Sequence, residues 1–379
     1  MMDTLLQTKK LIVCVGSGGV GKTTTAAAMG LAAARMGRRV LVLTIDPARR
    51  LANALGLESF GNEIRQIEVD NLPPGGALFA VMLDAGKTFR AVVDRVSPDQ
   101  ETRDRVFENP VFRVIADNVG SSVEYMATER LYDVYFDGDY DLIVLDTPPV
   151  KNALDFLDAP GRLVRFLDRR IMKWFLTPYD EKRIFSRVVA GTTGVLFRLL
   201  AVIFGKEFLA DLSSFLQSFR ELYEGFRERH EEVTKLFSSK HTSFVIVAAP
   251  NKPSLEVAEF FRGELGRRRL AIGGAVFNQV LACDGGAASA ETLLGELSRS
   301  RSTDLPPHTA ASLLARLDAA HGRLAAASER EQRLLSQFFS GNARGAFRVE
   351  IPRLDEDITN LEGLSLLGSF LLRQAPAAS

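Results

Sequence analysis

Seven short apolar runs punctuate the chain: Leu11–Val15, Val40–Ile45, Ala77–Leu83, Leu142–Leu145, Ser243–Ala248, Ile272–Phe277 and Phe347–Ile351. They are rich in β-branched residues and bounded by turn formers. Most are apolar at every position rather than at every second one, which predicts strands buried on both faces of a parallel sheet. Helical patterns separate most of them, so the expected fold is α/β, a doubly wound and mostly parallel sheet built from βα units. The rhythm breaks twice, between Asp84 and Asp137 and between Lys151 and Lys240. In the second gap Phe208, Leu212, Phe215, Phe219, Leu222 and Phe226 recur at spacings of three and four. Arg220, Glu221, Glu224, Arg227, Glu228 and Glu231 fall largely between them, the pattern of a long amphipathic helix. The predicted organisation is one core, residues 1–84, 137–150 and 241–379, carrying a helical subdomain in two inserted pieces, 85–136 and 151–240. Gly285–Ser302 reads as a loose connection and Ala375–Ser379 as a disordered tail.

Composition narrows the function classes. The 379 residues are enough to bury a sizeable core. Lys+Arg and Asp+Glu are each 47, a balance that argues against coating nucleic acid or an anionic membrane, so no nucleic-acid partner is expected. The two cysteines, Cys14 and Cys283, exclude a disulfide framework and any zinc or arsenite site that needs three or four thiols from one chain. Met1–Thr4 carries no basic leader and Leu11 begins a strand almost at once, so a cytoplasmic protein is expected. The most apolar stretch, Val188–Phe204, is shorter than the roughly 20 residues of a spanning helix and is interrupted by Arg198. A buried or groove-lining helix is the preferred reading there.

The chemistry concentrates after the first strand. Gly16-Ser17-Gly18-Gly19-Val20-Gly21-Lys22-Thr23-Thr24 follows Leu11–Val15 and leads into an Ala-rich helix. The G-x-x-x-x-G-K-T pattern is complete, and strand, glycine loop and helix start stand in the required order. Glycines let successive backbone N–H groups turn toward one anion, and the helix end adds partial positive charge. Lys22 would reach the β- and γ-phosphates and Thr23 would offer its hydroxyl to Mg²⁺. Asp46 and Asp146 close the second and fourth strands, at the sheet edge where α/β folds bind ligands. A carboxylate there can hold Mg²⁺ or orient an attacking water. Asp46 would equally cap a helix over Ala48–Leu55, and the two roles are compatible. Asp141, at a strand start, reads as structural, and Cys14 as a small buried hydrophobe.

These residues resemble a known family. The loop Gly-x-Gly-Gly-Val-Gly-Lys-Thr-Thr, Asp46-Pro47-Ala48 and Asp146-Thr147-x-Pro149 are similar to those of the ArsA-type ATPases, which include the arsenical-pump ATPase and the ATPase that targets tail-anchored membrane proteins. Phe277-Asn278-Gln279, Pro352 and the placing of the helical inserts extend the likeness over nearly the whole chain. The resemblance implies that Asp46 activates water and lies near the metal, that Asp146 sits near Mg²⁺, and that Asn278 reads adenine with Pro352 close to the base, making ATP the nucleotide. It implies a dimer that ATP closes and hydrolysis relaxes. There are four departures. Ser17 stands where the family carries a lysine that reaches the partner's phosphates, and Asn152 replaces a switch histidine. The Cys-x-x-Cys zinc bridge is absent, and Cys14 with Cys283 cannot supply the arsenical pump's cysteine triad.

Of the 25 Phe, 15 lie between Phe89 and Phe237, against only Met126 and Met172 of the 7 Met. They form either a groove for a hydrophobic helix or membrane-protein client, or a closed helical core. Scarce methionine counts mildly against a promiscuous groove. The basic clusters Arg162–Lys173 and Arg267-Arg268-Arg269 read as solvated faces. The leading reading is an Mg²⁺-dependent ATPase, a homodimer or a heterodimer with a related ATPase, that binds and releases a partner or client. A positioning or partition ATPase is one alternative, although the apolar Leu361–Leu372 stretch lacks a Lys-rich face. A nucleotide-gated scaffold, or the weak half of a heterodimer, is the other, motivated by Ser17. An arsenical pump is a lower option still.

Overall fold

The computed structural model describes residues 2–45, 50–55, 63–97, 99–110, 123–148, 211, 225, 227–283, 295, 299, 307–340 and 347–372. Eight strands form one sheet: β1 Leu11–Gly16, β2 Arg39–Thr44, β3 Arg65–Ile67, β4 Ala77–Met82, β5 Leu142–Asp146, β6 Thr242–Ala248, β7 Ile272–Val280 and β8 Phe347–Pro352. Their order across the sheet is β3-β4-β2-β5-β1-β6-β7-β8. All neighbours run parallel except β3, an antiparallel edge strand. The seven predicted strands are present. The three-residue β3 carries too little apolar pattern to be read in advance.

Period-two alternation sorts the strand side chains into two cores. Leu11, Val13, Val15, Leu41, Leu43, Ile143 and Leu145 enter one, and Ile12, Cys14, Val40, Val42, Leu142 and Val144 the other. The second core is closed by α1 Met2–Thr8, α2 Lys22–Ala34, the short α3 Arg50–Ala54 and α9 Leu361–Leu372. Its alanines let α2 lie close to the sheet. A side-chain carbon on Gly30 would come within 2.5 Å of Val42 Cγ2. Leu364, Leu367 and Leu371 of α9 are buried in the same core, each worth about 1.5–3 kcal/mol of transfer free energy. The apolar C-terminal stretch therefore packs one face against α2, while Leu366 and Leu372 on its other face are exposed.

The first core is closed by α4 Ala85–Val96, α5 Gln100–Glu108 and α6 Val123–Tyr132, by the helical stretch 227–237 and by α7 Lys252–Arg267. The last turns of α8, Pro307–Ser340, contribute Leu335 and Phe338. Asp84 and Asp99 start α4 and α5 by accepting hydrogen bonds from Lys87 N and Thr102 N. A π-helical turn, Asp133–Asp137, ends α6. Asp141 accepts a 2.8 Å hydrogen bond from Arg39 N, the structural role expected for it. The amphipathic helix predicted around Phe208–Phe226, Val188–Phe204 and most of Gly285–Ser302 lie outside the described residues. Among the described residues no helix is long and apolar enough to cross a membrane.

Candidate nucleotide site

The chain leaves β1 for β2 on one side, and leaves β5 for β6 on the other. The crevice beyond the carboxyl end of β1 is therefore the place where strand order reverses and ligands bind. Gly16 through Gly21 occupy it. Two of its glycines are required by contact. A side-chain carbon on Gly16 would fall 2.0 Å from Val247 O of the adjacent strand. Gly21 has φ 86°, in the left-handed region, and a carbon there would meet Asn278 Nδ2 at 2.3 Å. Gly18 and Gly19 are exposed at the mouth, while Val20 is buried. Gly21 stands at the N-cap of α2 and has no side chain to cap it, so the start of the helix opens onto the cradle through backbone alone.

Lys22 is only 7% exposed, and its Nζ donates a 2.8 Å hydrogen bond to Ser17 O, which holds the ammonium within the loop. Thr23 Oγ1 donates to Asp146 Oδ2 at 2.6 Å, and Thr44 Oγ1 donates to the same oxygen at 2.9 Å. Asp146 is 1% exposed. Ile45 N donates to Asp146 O, and Thr147 Oγ1 to Cys14 O at 2.7 Å, so the ends of β1, β2 and β5 are tied together. Burial, and then the Asp146 charge, push the Cys14 thiol well above its usual range. It stays protonated and inert, as its reading as a core residue requires.

Asn278 reaches the loop from the opposite side. Its Nδ2 donates to Val20 O at 3.0 Å, and its Oδ1 accepts from Gln279 N at 3.0 Å. The β7–β8 register shifts between Phe277 and Val280, and Gln279 takes φ 64°. This bulge turns Asn278 out of the ladder toward the loop. Pro352 pairs with Val280 at the end of β8 and is half-buried at the same edge. Thr24 is half-buried on the first turn of α2. Ser17 Oγ lies 3.0 Å from Ser254 Oγ of α7.

The fold thus brings Gly16–Thr24, Asp146, Asn278 and Pro352 to one edge. Asp46 lies outside the described residues. Sequence reasoning gave no role to Thr44, Thr147 and Ser254. Thr44 stands two residues before Asp46 and Thr147 lies in the Asp146-Thr147-x-Pro149 motif, but the pairing of either hydroxyl leaves no mark in the sequence. Nothing near Ser254 announces its position against the loop.

The family model described as Anion-transporting ATPase matches residues 9–289. The chain belongs to the ArsA-type ATPase family. It is similar to "ATPase ASNA1 homolog 1" of Paramecium tetraurelia, 25% identical over 280 residues, covering 73% of this chain and 76% of the relative. It is also similar to "ATPase GET3" of Podospora anserina, 26% identical over 268 residues and covering 70% and 71% of the two chains. "ATPase get3" of Botryotinia fuckeliana is 27% identical over 289 residues, with coverages of 74% and 75%. The protein is an ATP-binding ArsA-type ATPase, an enzyme that hydrolyses ATP.

The residues fit the metal that such an enzyme uses. A threonine hydroxyl and a buried carboxylate are hard oxygen donors, the set Mg²⁺ selects. Thr23 and Asp146 would hold the ion, directly or through water, and when bound it neutralises phosphate charge. Lys22 and the loop amides supply the remaining positive potential from the chain itself.

Proposed function

We propose that this ATPase uses Mg²⁺-ATP to drive a dimer cycle in which a helical subdomain, residues 85–136 and 151–240, binds and releases a hydrophobic client. The observation that carries this reading is the shared carboxylate. Thr23 of the phosphate loop and Thr44 at the end of β2 both donate to Asp146 at the end of β5. A change at the phosphates is felt at one buried oxygen, and the chain leads from there into both segments that follow β2 and β5. The second of these opens into the Phe-rich 151–240 region.

Within this reading Asp46 orients the attacking water, Asn278 and Pro352 accommodate the adenine, and Lys22 stabilises the developing charge on the β–γ bridge. The client is a hydrophobic helix of the tail-anchored type, and the protein works in the cytoplasm as a homodimer or with a related ATPase. Residues 188–204 and the Phe stripe at 208–226 supply the apolar surface. Against the alternative membrane-positioning role, Leu364, Leu367 and Leu371 of α9 are committed to the core with α2.

Lys22→Ala should reduce Mg²⁺-ATP hydrolysis at least about a hundredfold, the scale of removing a preorganised charge from a transition state. Asp46→Asn should hydrolyse comparably slowly yet still bind ATP. Locked with ATP, it should co-purify with a tail-anchored substrate carrying a photo-crosslinker in its apolar helix. Hydrolysis by Asp46→Asn at the parent rate removes the role given to Asp46. Crosslinking that is identical with ATP, with ADP and without nucleotide removes the coupled cycle.

A further inference from the structure

Between Gly16 and Gly21 only two residues, Ser17 and Val20, have a side chain with which to anchor the phosphate loop. Val20 is held from β7: it is buried in the apolar core and its carbonyl accepts the Asn278 amide. Ser17 is held from β6. Its hydroxyl lies 3.0 Å from Ser254 Oγ, and Ser254 Oγ in turn accepts a 3.0 Å hydrogen bond from Ala249 N at the end of that strand. Ser254 is 5% exposed and sits in the first turn of α7, where Asn251 Oδ1 accepts from its backbone N–H at 3.0 Å. Asn251 and Pro253 start that helix, and both the cap and the strand end fix the Ser254 hydroxyl before it meets the loop.

The consequence lies one atom further on. Ser17 O is the carbonyl that receives Lys22 Nζ at 2.8 Å. A residue tied by its hydroxyl to a rigid helix start keeps its own carbonyl in place, and that carbonyl aims the lysine. We infer that Ser254 is a positioning residue for ATP: through Ser17 it sets the loop and the Lys22 ammonium in the geometry that receives the phosphates. Ser254 touches neither the nucleotide nor the reacting atoms. It acts by pre-ordering, so its loss is felt in ground-state and transition-state binding alike, as a higher KM with kcat little changed. The relay also gives Ser17 a partner within its own subunit. Its hydroxyl is directed inward along the loop–helix contact and works on this chain's own site.

The test measures KM and kcat for Mg²⁺-ATP hydrolysis by the full-length chain, with the affinity of a fluorescent ATP analogue measured in parallel. The set comprises Ser17→Ala, Ser254→Ala, the double variant and Ser17→Thr. Ser17→Ala guards against misfolding, because it cuts the relay without leaving Ala249 N unsatisfied. Each single alanine variant should raise KM and weaken analogue binding about twofold to tenfold, the size of one neutral hydrogen bond, with kcat within about twofold. The double variant should be no worse than the poorer single variant, since both cut the same link. Ser17→Thr, which keeps a hydroxyl, should return KM to near the parent value. Multiplying losses in the double variant would overturn the relay. So would a Ser17→Ala protein with parental KM, or a Ser254→Ala protein whose melting temperature falls while nucleotide affinity does not.

Discussion

Gly21 combines a left-handed φ of 86° with an approach of 2.3 Å between its would-be side-chain carbon and Asn278 Nδ2. Alanine there carries about 1–2 kcal/mol of backbone strain and also displaces the amide that holds Val20 O. Gly21→Ala should therefore weaken ATP binding at least about tenfold and lower the melting temperature, as calorimetric titration and thermal unfolding would read. At Gly19, where φ is 77° and no atom of the described residues beyond its chain neighbours lies within 4 Å of an added side-chain carbon, alanine meets chiefly the backbone term. Its effect should be the smaller of the two. At the same scale, Asp146 explains why Thr44 matters although no motif names it: one buried oxygen accepts from two hydroxyls on two different elements.

At the scale of elements, the helices that precede β5 and β6 are locked by charge as well as by apolar packing. Arg229, on the helical stretch 227–237, donates its Nε to Glu129 Oε2 of α6 at 2.7 Å, and its second terminal nitrogen to Asp133 in the π-helical turn. Tyr125 OH donates to Glu129 Oε1 at 2.8 Å, and Arg95 of α4 also bonds Asp133. The guanidinium lies 3.9 Å from the Tyr132 ring centroid. Arg229, Glu129 and Asp133 are all less than 9% exposed. Breaking such a group from one side leaves buried charge uncompensated, at a cost of about 3–5 kcal/mol. Arg229→Met should lower unfolding stability by that amount in urea titrations. Adding Glu129→Gln should recover part of it, because one stranded carboxylate is then neutral. These helices share a core with the sheet, through Val92, Met126 and Phe237 among others.

At the scale of the whole molecule, the sheet order matters more than the count of strands. β1 pairs with β5 along Leu11–Cys14 and with β6 along Leu11–Gly16, although about a third of the chain separates it from the first and about three fifths from the second. A fragment ending at residue 150 exposes the whole β6 edge of a strand with no exposed side chain. Such a fragment should be insoluble or molten on its own. Co-expressed with residues 151–379, it should be recovered in a complex with native-like circular dichroism. A separately folded, ATP-binding fragment 1–150 would show that β6 and β7 do not hold the loop as the Ser254 and Asn278 contacts require.

Much of this was legible in the linear chain, and for one reason. Continuous apolar runs, the ordered glycines and the Gly-Lys-Thr triplet act through local backbone chemistry, so the strands, the phosphate loop and the α2 start follow from residues adjacent in sequence. The strand-end position of Asp146 was readable in the same way. The antiparallel β3, the register shift that turns Asn278 out of the ladder, and the hydroxyls of Thr44 and Ser254 were not. β3 is too short to carry a pattern, and the others depend on partners that chain topology alone brings near: Thr44 is 102 residues from Asp146, Ser17 is 237 from Ser254 and Asn278 is 258 from Val20. Sequence by itself determined that this protein has a phosphate cradle and an α/β sheet to carry it. Only the tertiary structure decided which distant side chains hold that cradle in shape, because hydrogen bonds specify pairs in space and leave no period along the chain.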